Sequence, residues 1–288
     1  MNKILVTGAT GQMGSTVIAM LLKKISPQQI NVISRKEEKM ADLKAKGINT
    51  FVGSYEDVKS LETAMTGVDT VLLISGGDQG DRMQEHRNVV DTAKKMGVQN
   101  IAYTSRALRD RNTLQNKLME DHFNTEDYIK TSGLNYIIFQ NGLYMEFLQF
   151  FVNKEQMEKG IFLPTGEGKV AFTLRADQAE AMANVLMNES FDHKTYQFTN
   201  NETYTFFEVA NILSQLSGKE VKYTPVELSA FLETMKQRGL PDAMINKMGG
   251  FLMDIKNNQE TVLTNDLETK LGRKPVTLQE GLEIIFSF

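Results

Sequence analysis

Cysteine and tryptophan are both absent from the 288-residue sequence. Without cysteine the chain can form no disulfide, thiolate metal site or thiol nucleophile, and its composition suits a reducing compartment. The three histidines, His86, His122 and His193, lie far apart in the sequence and lack the spacing of metal ligands. These absences remove thiol chemistry from consideration, and we expect no metal site.

The sequence also has no strong excess of charge and no long hydrophobic run. A net charge of −4 at pH 7 offers no basic surface for a phosphate backbone, so we expect no nucleic-acid partner. The longest apolar runs, such as residues 71–74, have the length of a strand and are too short to span a bilayer. An apolar strand pattern already begins at residue 3, with no charged leader before it. We therefore expect a cytoplasmic protein without membrane contact.

What the sequence does contain is a spaced glycine loop near its start. The apolar residues 3–7 predict a buried strand, which leads directly into Gly8, Gly11 and Gly14 and then into an amphipathic helix. Glycines at these points allow a sharp turn, a close approach of the backbone to a pyrophosphate and close packing of the helix. The N–H groups and dipole at the start of that helix favour a phosphate. The pattern predicts a dinucleotide site at residues 8–14.

Apolar runs alternate with amphipathic stretches through the first half of the chain. We predict strands at 3–7, 30–34, 49–52, 69–75, 99–104 and 135–139. Helices are predicted between them, at 12–25, 36–46, 57–66, 82–97 and 114–132. The strands are continuous apolar runs, which favours a parallel sheet covered on both faces. The predicted fold class is α/β: a doubly wound, Rossmann-like parallel sheet of six strands, with ligands between the first and fourth.

The regular alternation ends near residue 145. A turn-rich stretch at 163–168 precedes a predicted helix at 176–188 and a strand at 195–199, and the last third is mostly helical. We predict two domains. A cofactor-binding Rossmann domain comprises 1–149 with 171–200, and a smaller, mostly helical C-terminal lobe for the substrate comprises 150–170 with 201–288.

The end of the second predicted strand indicates which dinucleotide is bound. An NAD site has an acidic residue here, about 20 residues past the glycine loop, that binds the ribose 2′-hydroxyl. This chain has Ser34, Arg35 and Lys36 instead, and its first acid is Glu37. A guanidinium binds a 2′-phosphate through paired hydrogen bonds, whereas a carboxylate repels it. The sequence therefore favours NADP(H), unless Arg35 and Lys36 merely solvate the next helix.

The proton-transfer residues of ketone and alcohol reductases are missing from their expected place. Short-chain dehydrogenases carry Tyr-x-x-x-Lys on the fifth helix, where the ammonium lowers the pKa of the phenol. The one match here, Tyr55 with Lys59, follows the third strand, and Ser105 ends the fifth strand without these partners. We identify no catalytic residue. Either the protein binds its cofactor without catalysis, or its acceptor, such as a quinone, needs no strong proton donor.

Motifs in a fixed order resemble those of the NmrA-like atypical short-chain dehydrogenase/reductase family. They are Thr-Gly-x-x-Gly-x-x-Gly at 7–14, Arg35, and the segments 84–90, 102–105, 122–126, 141–144 and 173–177. The similarity extends over nearly the whole chain and is greatest to the quinone reductases and triphenylmethane reductases of that family. It implies an NADPH-dependent reductase of quinones or related conjugated acceptors, which holds its cofactor between two lobes and lacks the Tyr–Lys pair.

The resemblance also implies the residues of the site. Around the pyrophosphate it places Gly8, Ala9, Thr10, Gly11, Gln12 and Met13; at the 2′-phosphate Arg35; beside the cofactor Ser75, Gly76 and Gly77; and near the nicotinamide Gln140, Asn141 and Gly142. Asn141 and Tyr144 would place the acceptor, a small aromatic or quinone molecule. For Tyr144, packing is an equal alternative. Two departures are Ser54, where many relatives have an Asp near the adenine, and Gln140, where many have Arg.

Two other functions fit the same fold. An NADP(H)-sensing regulator of the NmrA type would bind the cofactor and a partner protein without catalysis, and the missing Tyr–Lys pair favours it equally. A sugar-nucleotide epimerase needs that pair to move protons, so it ranks third. We interpret His86 and His122 as structural hydrogen-bonding residues. The oligomeric state stays open, with a homodimer as one option.

Overall fold

The structure is a computed structural model that describes residues 3–77 and 80–287, with the backbone alone for 154–156. Its strands are β1 Ile4–Val6, β2 Ile30–Ser34, β3 Asn49–Val52, β4 Thr70–Leu73, β5 Asn100–Arg106, β6 Asn135–Asn141, β7 Ile161–Leu163, β8 Lys169–Val170, β9 Lys194–Phe198, β10 Tyr204–Thr205 and β11 Tyr223–Pro225. Its helices are α1 Gln12–Leu21, α2 Ala41–Ala45, α3 Val58–Met65, α4 Arg82–Lys95, α5 Glu120–Thr131, α6 Lys154–Lys159, α7 Arg175–Asn188, α8 Phe206–Ser217, α9 Leu228–Gln237, α10 Asp242–Lys256, α11 Asp266–Leu271 and α12 Leu278–Phe286. None of the described helices is long and apolar enough to span a membrane.

Seven strands form one sheet in the order β3-β2-β1-β4-β5-β6-β9. The pairs β1–β2, β1–β4, β2–β3 and β4–β5 are parallel. Every residue of β1 and β4 is buried, as expected for central strands covered on both faces, whereas the edge strand β3 is half-exposed. The predicted α/β class is confirmed. The sheet has seven strands rather than six, because the strand predicted at 195–199 joins it as β9.

The strand order places the reversal of winding between β1 and β4. In open parallel sheets, ligands bind outside the carboxyl ends of the strands at this reversal. The glycine loop follows β1, and the segment Ser75 to Gly77 follows β4. The fold therefore brings the two glycine-containing segments to the same edge of the sheet.

The chain divides into two compact units. The first unit comprises Met1–Ser105, Asp121–Gln140 and Ala176–Tyr196, and the second comprises Arg106–Glu120, Asn141–Arg175 and Gln197–Phe288. In the first unit, apolar residues of β1, β4 and β5 pack against those of α3 and α4. In the second unit, β7 and β11 pair in parallel, and a separate core joins them to α8, α10 and α12. Compactness alone does not test whether the units fold independently, so the domain boundaries stay a prediction.

The segment before α5 is the main local departure from the predicted secondary structure. A helix is predicted over 114–132, but α5 begins at Glu120 after a short 3-10 turn, Lys117–Met119. The N–H groups of Gln115 and Asn116 donate to the carboxylate of Asp254 in α10, at 2.6 and 2.9 Å. Gly250 lets α10 approach, because a Cβ there would lie 3.1 Å from the carbonyl oxygen of Gln115. This tertiary contact replaces the first turn of the predicted helix.

Asp254 is 2% exposed, and burial raises the pKa of its carboxyl despite the two backbone donors. We expect Asp254→Ala to lower the free energy of unfolding by about 2–3 kcal/mol, because two backbone N–H groups lose their acceptor. Asp242→Ala, at an exposed position of the same helix, should change it by less than about 1 kcal/mol. Chemical denaturation measures both values. Equal effects of the two substitutions would contradict the assigned role.

Candidate active site

The loop between β1 and α1 depends on glycine at two positions. Gly8 has a φ of +57°, and its carbonyl oxygen accepts the N–H of Gly11 at 3.0 Å. A Cβ at Gly14 would lie 2.4 Å from that same oxygen, so only glycine allows α1 to pack this closely. A Cβ at Gly11 would meet only the Gly8 oxygen, at 3.2 Å. The outer side of the loop at Gly11 is therefore open.

The start of α1 presents unpaired donors beside this loop. The first turn of a helix leaves its N–H groups without intrahelical acceptors. Gly11 occupies the N-cap position and has no side chain to accept them, and no acidic residue lies in the first turn. Thr10 places its hydroxyl 3.4 Å from that of Ser34, at the end of β2. An anion at the loop would meet the positive end of the helix dipole and these donors.

Arg35 follows β2 directly, and its side chain is exposed. Its positive charge acts on Glu85 of α4, whose pKa is raised by burial and by the charge of Glu56 and lowered by Arg35. A Cβ at Gly76 would lie 2.7 Å from Oε2 of Glu85, so this carboxylate lies against the segment after β4. Sequence reasoning missed this acid, although Glu85 stands within the quoted motif 84–90. The predicted phosphate ligand therefore has an anionic neighbour.

The segment after β4 is anchored at two points and open at a third. Ser75 donates its N–H to the Thr104 hydroxyl, and Gly76 donates its N–H to Nε2 of His86, both at 2.9 Å. Within the described residues, a Cβ at Gly77 would meet no atom within 4 Å. Residues 78 and 79 lie outside the described part of the chain. The anchors hold the backbone beside the glycine loop while Gly77 leaves space for a ligand.

His86 acts as a neutral hydrogen-bonding residue. Because Nε2 accepts from Gly76, we assign the proton to Nδ1, which lies 2.8 Å from the Thr125 hydroxyl. That hydroxyl in turn donates to the carbonyl oxygen of Asp121 at 2.7 Å. Burial, aided by the charge of Arg82, lowers the pKa of His86 to about 3. The structural interpretation of His86 therefore agrees with its contacts, and the imidazole stays uncharged near neutral pH.

Tyr55, half of the only Tyr-x-x-x-Lys match, is committed to packing below the glycine loop. Its hydroxyl lies 2.6 Å from the Thr7 hydroxyl and 2.8 Å from the carbonyl oxygen of Ile74. Burial raises the pKa of the phenol well above its ordinary value. Tyr55 therefore ties the ends of β1 and β4 together as a neutral phenol.

Ser105 is likewise occupied by an internal hydrogen bond. Its hydroxyl donates to Oε1 of Glu126 at 2.5 Å, and Glu126 is 3% exposed. Gln140 donates its amide N–H to both oxygens of this carboxylate, at 2.9 and 3.1 Å, and Lys130 contacts Oε2 at 3.2 Å. These four polar contacts stabilise the buried carboxylate of Glu126. Glu126, which the sequence showed only as part of a motif, joins the ends of β5 and β6.

Asn141 belongs to the second unit, and its side-chain amide is unusual among the buried polar groups there. Asn141 is 0% exposed, and its side-chain amide makes no well-formed hydrogen bond within the described residues, although it lies close enough to the Tyr144 hydroxyl to lower the pKa of that phenol. Its backbone oxygen accepts the N–H of Ala107 at 2.9 Å. Leaving a buried amide unsatisfied costs about 1–3 kcal/mol, so such a group calls for an explanation. The neighbouring Gly142 has a packing role, since a Cβ there would lie 2.9 Å from the Thr173 hydroxyl.

Two cations of the same unit act on Tyr144. The guanidinium of Arg175 stacks 4.5 Å from the centre of the ring, and Arg106 is the other cation. Burial raises the pKa of Tyr144, and the two arginines partly offset that rise. Arg106 pairs at 2.6 Å with Glu260, whose own pKa is raised by burial. The phenol therefore remains protonated and can donate a hydrogen bond.

The structure thus assigns the predicted residues to two groups. Those on the first unit are Gly8, Ala9, Thr10, Gly11, Gln12, Met13, Arg35, Ser75, Gly76, Gly77 and Gln140. Those on the second are Asn141, Gly142 and Tyr144. Sequence reasoning missed Arg106 and Glu260. Arg106 directly follows Ser105, which was a usable signal, whereas nothing in the sequence pointed to Glu260.

The low pKa of His86 makes stability depend on pH. Its pKa is about 3 when folded against an ordinary 6.5, so the unfolded chain takes up the proton first as the pH falls. The free energy of unfolding should be largest above pH 6.5 and should decrease below it. For this one group the decrease from pH 7 to pH 5 is about 2 kcal/mol. His86→Gln should remove that decrease, whereas the exposed His193→Gln should retain it. Urea denaturation across this range measures it. If the free energy of unfolding of His86→Gln depended on pH as the wild type does, the low pKa of His86 would not be the cause.

Comparison with known proteins places the chain in a family. The NmrA-like family model matches residues 1–283. Quinone oxidoreductase 2 of Escherichia coli (strain K12) is 34% identical over 295 residues, which cover 99% of each chain. This agrees with the resemblance drawn from the motifs.

Two crystal structures are also similar over nearly the whole chain. An NADPH-dependent quinone oxidoreductase from Escherichia coli, complexed with NADPH, has a TM-score of 0.91 and 32% identity, covering 98% of this chain and 99% of that one. Triphenylmethane reductase of Citrobacter sp., complexed with NADP(H), has a TM-score of 0.90 and 33% identity, with the same coverage. On the evidence of motifs, fold and similarity, the chain belongs to the NmrA-like family.

Proposed function

We propose that this protein is an NADPH-dependent reductase that passes hydride to a quinone or a similarly conjugated acceptor. The observation that carries the proposal is the open glycine loop at the start of α1, with Arg35 at the end of the neighbouring strand. The similar proteins of Escherichia coli and Citrobacter, whose structures contain NADPH and NADP(H), support the same assignment.

The residues of the first unit fit the chemistry of the dinucleotide. In this proposal the backbone of residues 8–13 binds the pyrophosphate, because the open face at Gly11 admits it and the helix dipole stabilises its charge. Arg35 binds the 2′-phosphate, and Ser75, Gly76 and Gly77 border the cofactor. When bound, NADPH supplies the hydride.

The residues near the nicotinamide and acceptor are also proposals. The side-chain N–H and C=O groups of Asn141 make no well-formed hydrogen bond within the described residues, so this amide can orient a carboxamide or an acceptor oxygen. Tyr144 would donate a hydrogen bond to the acceptor, while Arg106 and Arg175 stabilise negative charge that develops on it. Gln140 and Gly142 keep their proposed place beside the cofactor.

The acceptor class follows from the groups that are missing. No Tyr-x-x-x-Lys lies on α5, and the hydroxyls of Tyr55 and Ser105 are engaged internally. A quinone or conjugated cation is already electrophilic, and the product of hydride transfer delocalises or neutralises its charge. Proximity and orientation can then supply most of the rate.

The internal hydrogen bond of Ser105 to Glu126 equally favours a second candidate, a regulator that senses NADP(H) without catalysis. Stopped-flow oxidation of NADPH by a panel of benzoquinones and naphthoquinones separates the two functions. The reductase should turn over with at least one quinone. Tight cofactor binding without turnover across the panel would favour the regulator.

Arg35→Ala should weaken NADPH binding by about 10- to 100-fold, because a charge-assisted contact to the phosphate contributes about 1.5–3 kcal/mol. NADH binding should change little, since NADH lacks the 2′-phosphate. Lys36→Ala is the matched control, an adjacent exposed cation that should change neither affinity much. Isothermal titration calorimetry measures all six affinities. Equal losses for NADPH and NADH in Arg35→Ala would exclude the phosphate contact.

Tyr144→Phe should lower kcat/KM for a quinone by about 10-fold, the value of one hydrogen bond near 1.4 kcal/mol, with NADPH affinity retained. Tyr204→Phe is the control, because the hydroxyl of Tyr204 binds Glu202 within the same unit. Steady-state kinetics at saturating NADPH provide the measurement. If Tyr144→Phe matches the wild type, packing is the role of Tyr144.

A further inference from the structure

The second unit contains a cavity of about 310 Å³ that shares no residue with the site proposed above. Its walls come from the 3-10 turn Met145–Phe150, strand β7 and helices α9 and α10. Its volume lies at the lower end of the range for small-molecule sites. Neither the family similarity nor the proposed function gives this cavity a role.

Four of the thirteen residues that line the cavity are phenylalanines. Phe150 and Phe162 line the cavity and are 79% and 50% exposed, respectively, whereas Phe231 is 5% exposed. Covering a water-exposed aromatic ring with a flat apolar molecule lowers the free energy of the complex. Aromatic rings also favour contact with other rings. The lining of the cavity therefore favours the binding of an aromatic ligand.

The charged side chains that line the cavity, among those described, are both positively charged. Arg238 and Lys159 line the cavity, and no carboxylate belongs to its lining among the described side chains, which do not include those of 154–156. This bias runs against the composition, since the chain has 36 acidic and 32 basic residues. A cleft with apolar walls and charges of one sign concentrates ligands of the opposite sign. Arginine adds specificity, because its guanidinium binds a carboxylate or sulfonate through two parallel hydrogen bonds.

We propose that this cavity binds a small aromatic anion, an aromatic carboxylate or sulfonate. Its ring system covers Phe150 and Phe162, and Arg238 holds its acidic group. A neutral aromatic molecule would be stabilised only by apolar contact with the rings, and a small aliphatic anion only by its charge interaction with the cation. The inference does not rest on the proposed function, because it uses residues of the second unit alone.

Calorimetric titration of the full chain with 2-naphthoate tests the proposal. We expect one binding site per chain. Binding should be at least about 10-fold tighter than for 2-naphthalenemethanol, the neutral analogue, since a charge-assisted pair contributes 1.5 kcal/mol or more. Acetate, which has the charge without the rings, should give no measurable binding. No binding of naphthoate, or equal binding of the neutral analogue, would overturn the proposal.

Three substitutions locate the binding site. Ala230→Phe adds a ring at an exposed position of α9 that lines the cavity, so the folded protein should lose naphthoate binding. Ser229→Phe, an exposed neighbour outside the lining, should retain it. Arg238→Gln should reduce naphthoate affinity about 10-fold and leave the neutral analogue unchanged. Thermal melting establishes that each variant is folded. Unchanged naphthoate affinity in Ala230→Phe, or equal loss in Ser229→Phe, would place the ligand elsewhere.

Discussion

The contact between Gly14 and the carbonyl oxygen of Gly8 is the constraint on which the candidate cofactor site depends. With no Cβ in the way, α1 begins directly against the turn that follows β1, and a methyl group would displace backbone rather than a flexible side chain. The position of α1 decides where its unpaired N–H groups point. Those donors, the open face at Gly11 and the Thr10–Ser34 contact then lie together at the carboxyl edge of the sheet. Any phosphate bound there depends on this one close approach.

The polar groups of the site divide into those that are satisfied internally and those that are not. Tyr55, Ser105 and His86 each belong to a hydrogen-bond network of the first unit, where they stabilise the ends of β1, β4 and β5. Among the described residues, the side-chain amide of Asn141 makes no well-formed hydrogen bond, and the first turn of α1 has no side-chain cap. Satisfied groups stabilise the fold, whereas unsatisfied ones are available to a ligand. This contrast favours a function in which binding and orientation outweigh acid–base catalysis.

The nucleotide side of the site was the part most open to prediction from sequence. The glycine spacing, the strand that precedes it and Arg35 are neighbours in the chain, so local rules of turns and helix starts apply to them directly. The sequence did not reveal the roles of Glu85 and Glu260, because their positions depend on packing between distant segments. The helix predicted at 114–132 lost its first turn for the same reason, since the carboxylate of Asp254 captured the backbone N–H groups that helical bonding would have used. The last strand of the sheet was predicted as an element, but local pattern did not tell which strand it would pair with.

Hydrogen–deuterium exchange of the full chain, with and without saturating NADPH, tests the central claim most directly. The account predicts slower exchange of the backbone N–H groups in residues 8–14 and around Arg35 and Gly77 when NADPH is bound. NADH at equal occupancy should protect the glycine loop and leave the surroundings of Arg35 nearly unchanged. Unaltered exchange in residues 8–14 under saturating NADPH would contradict the proposed binding site.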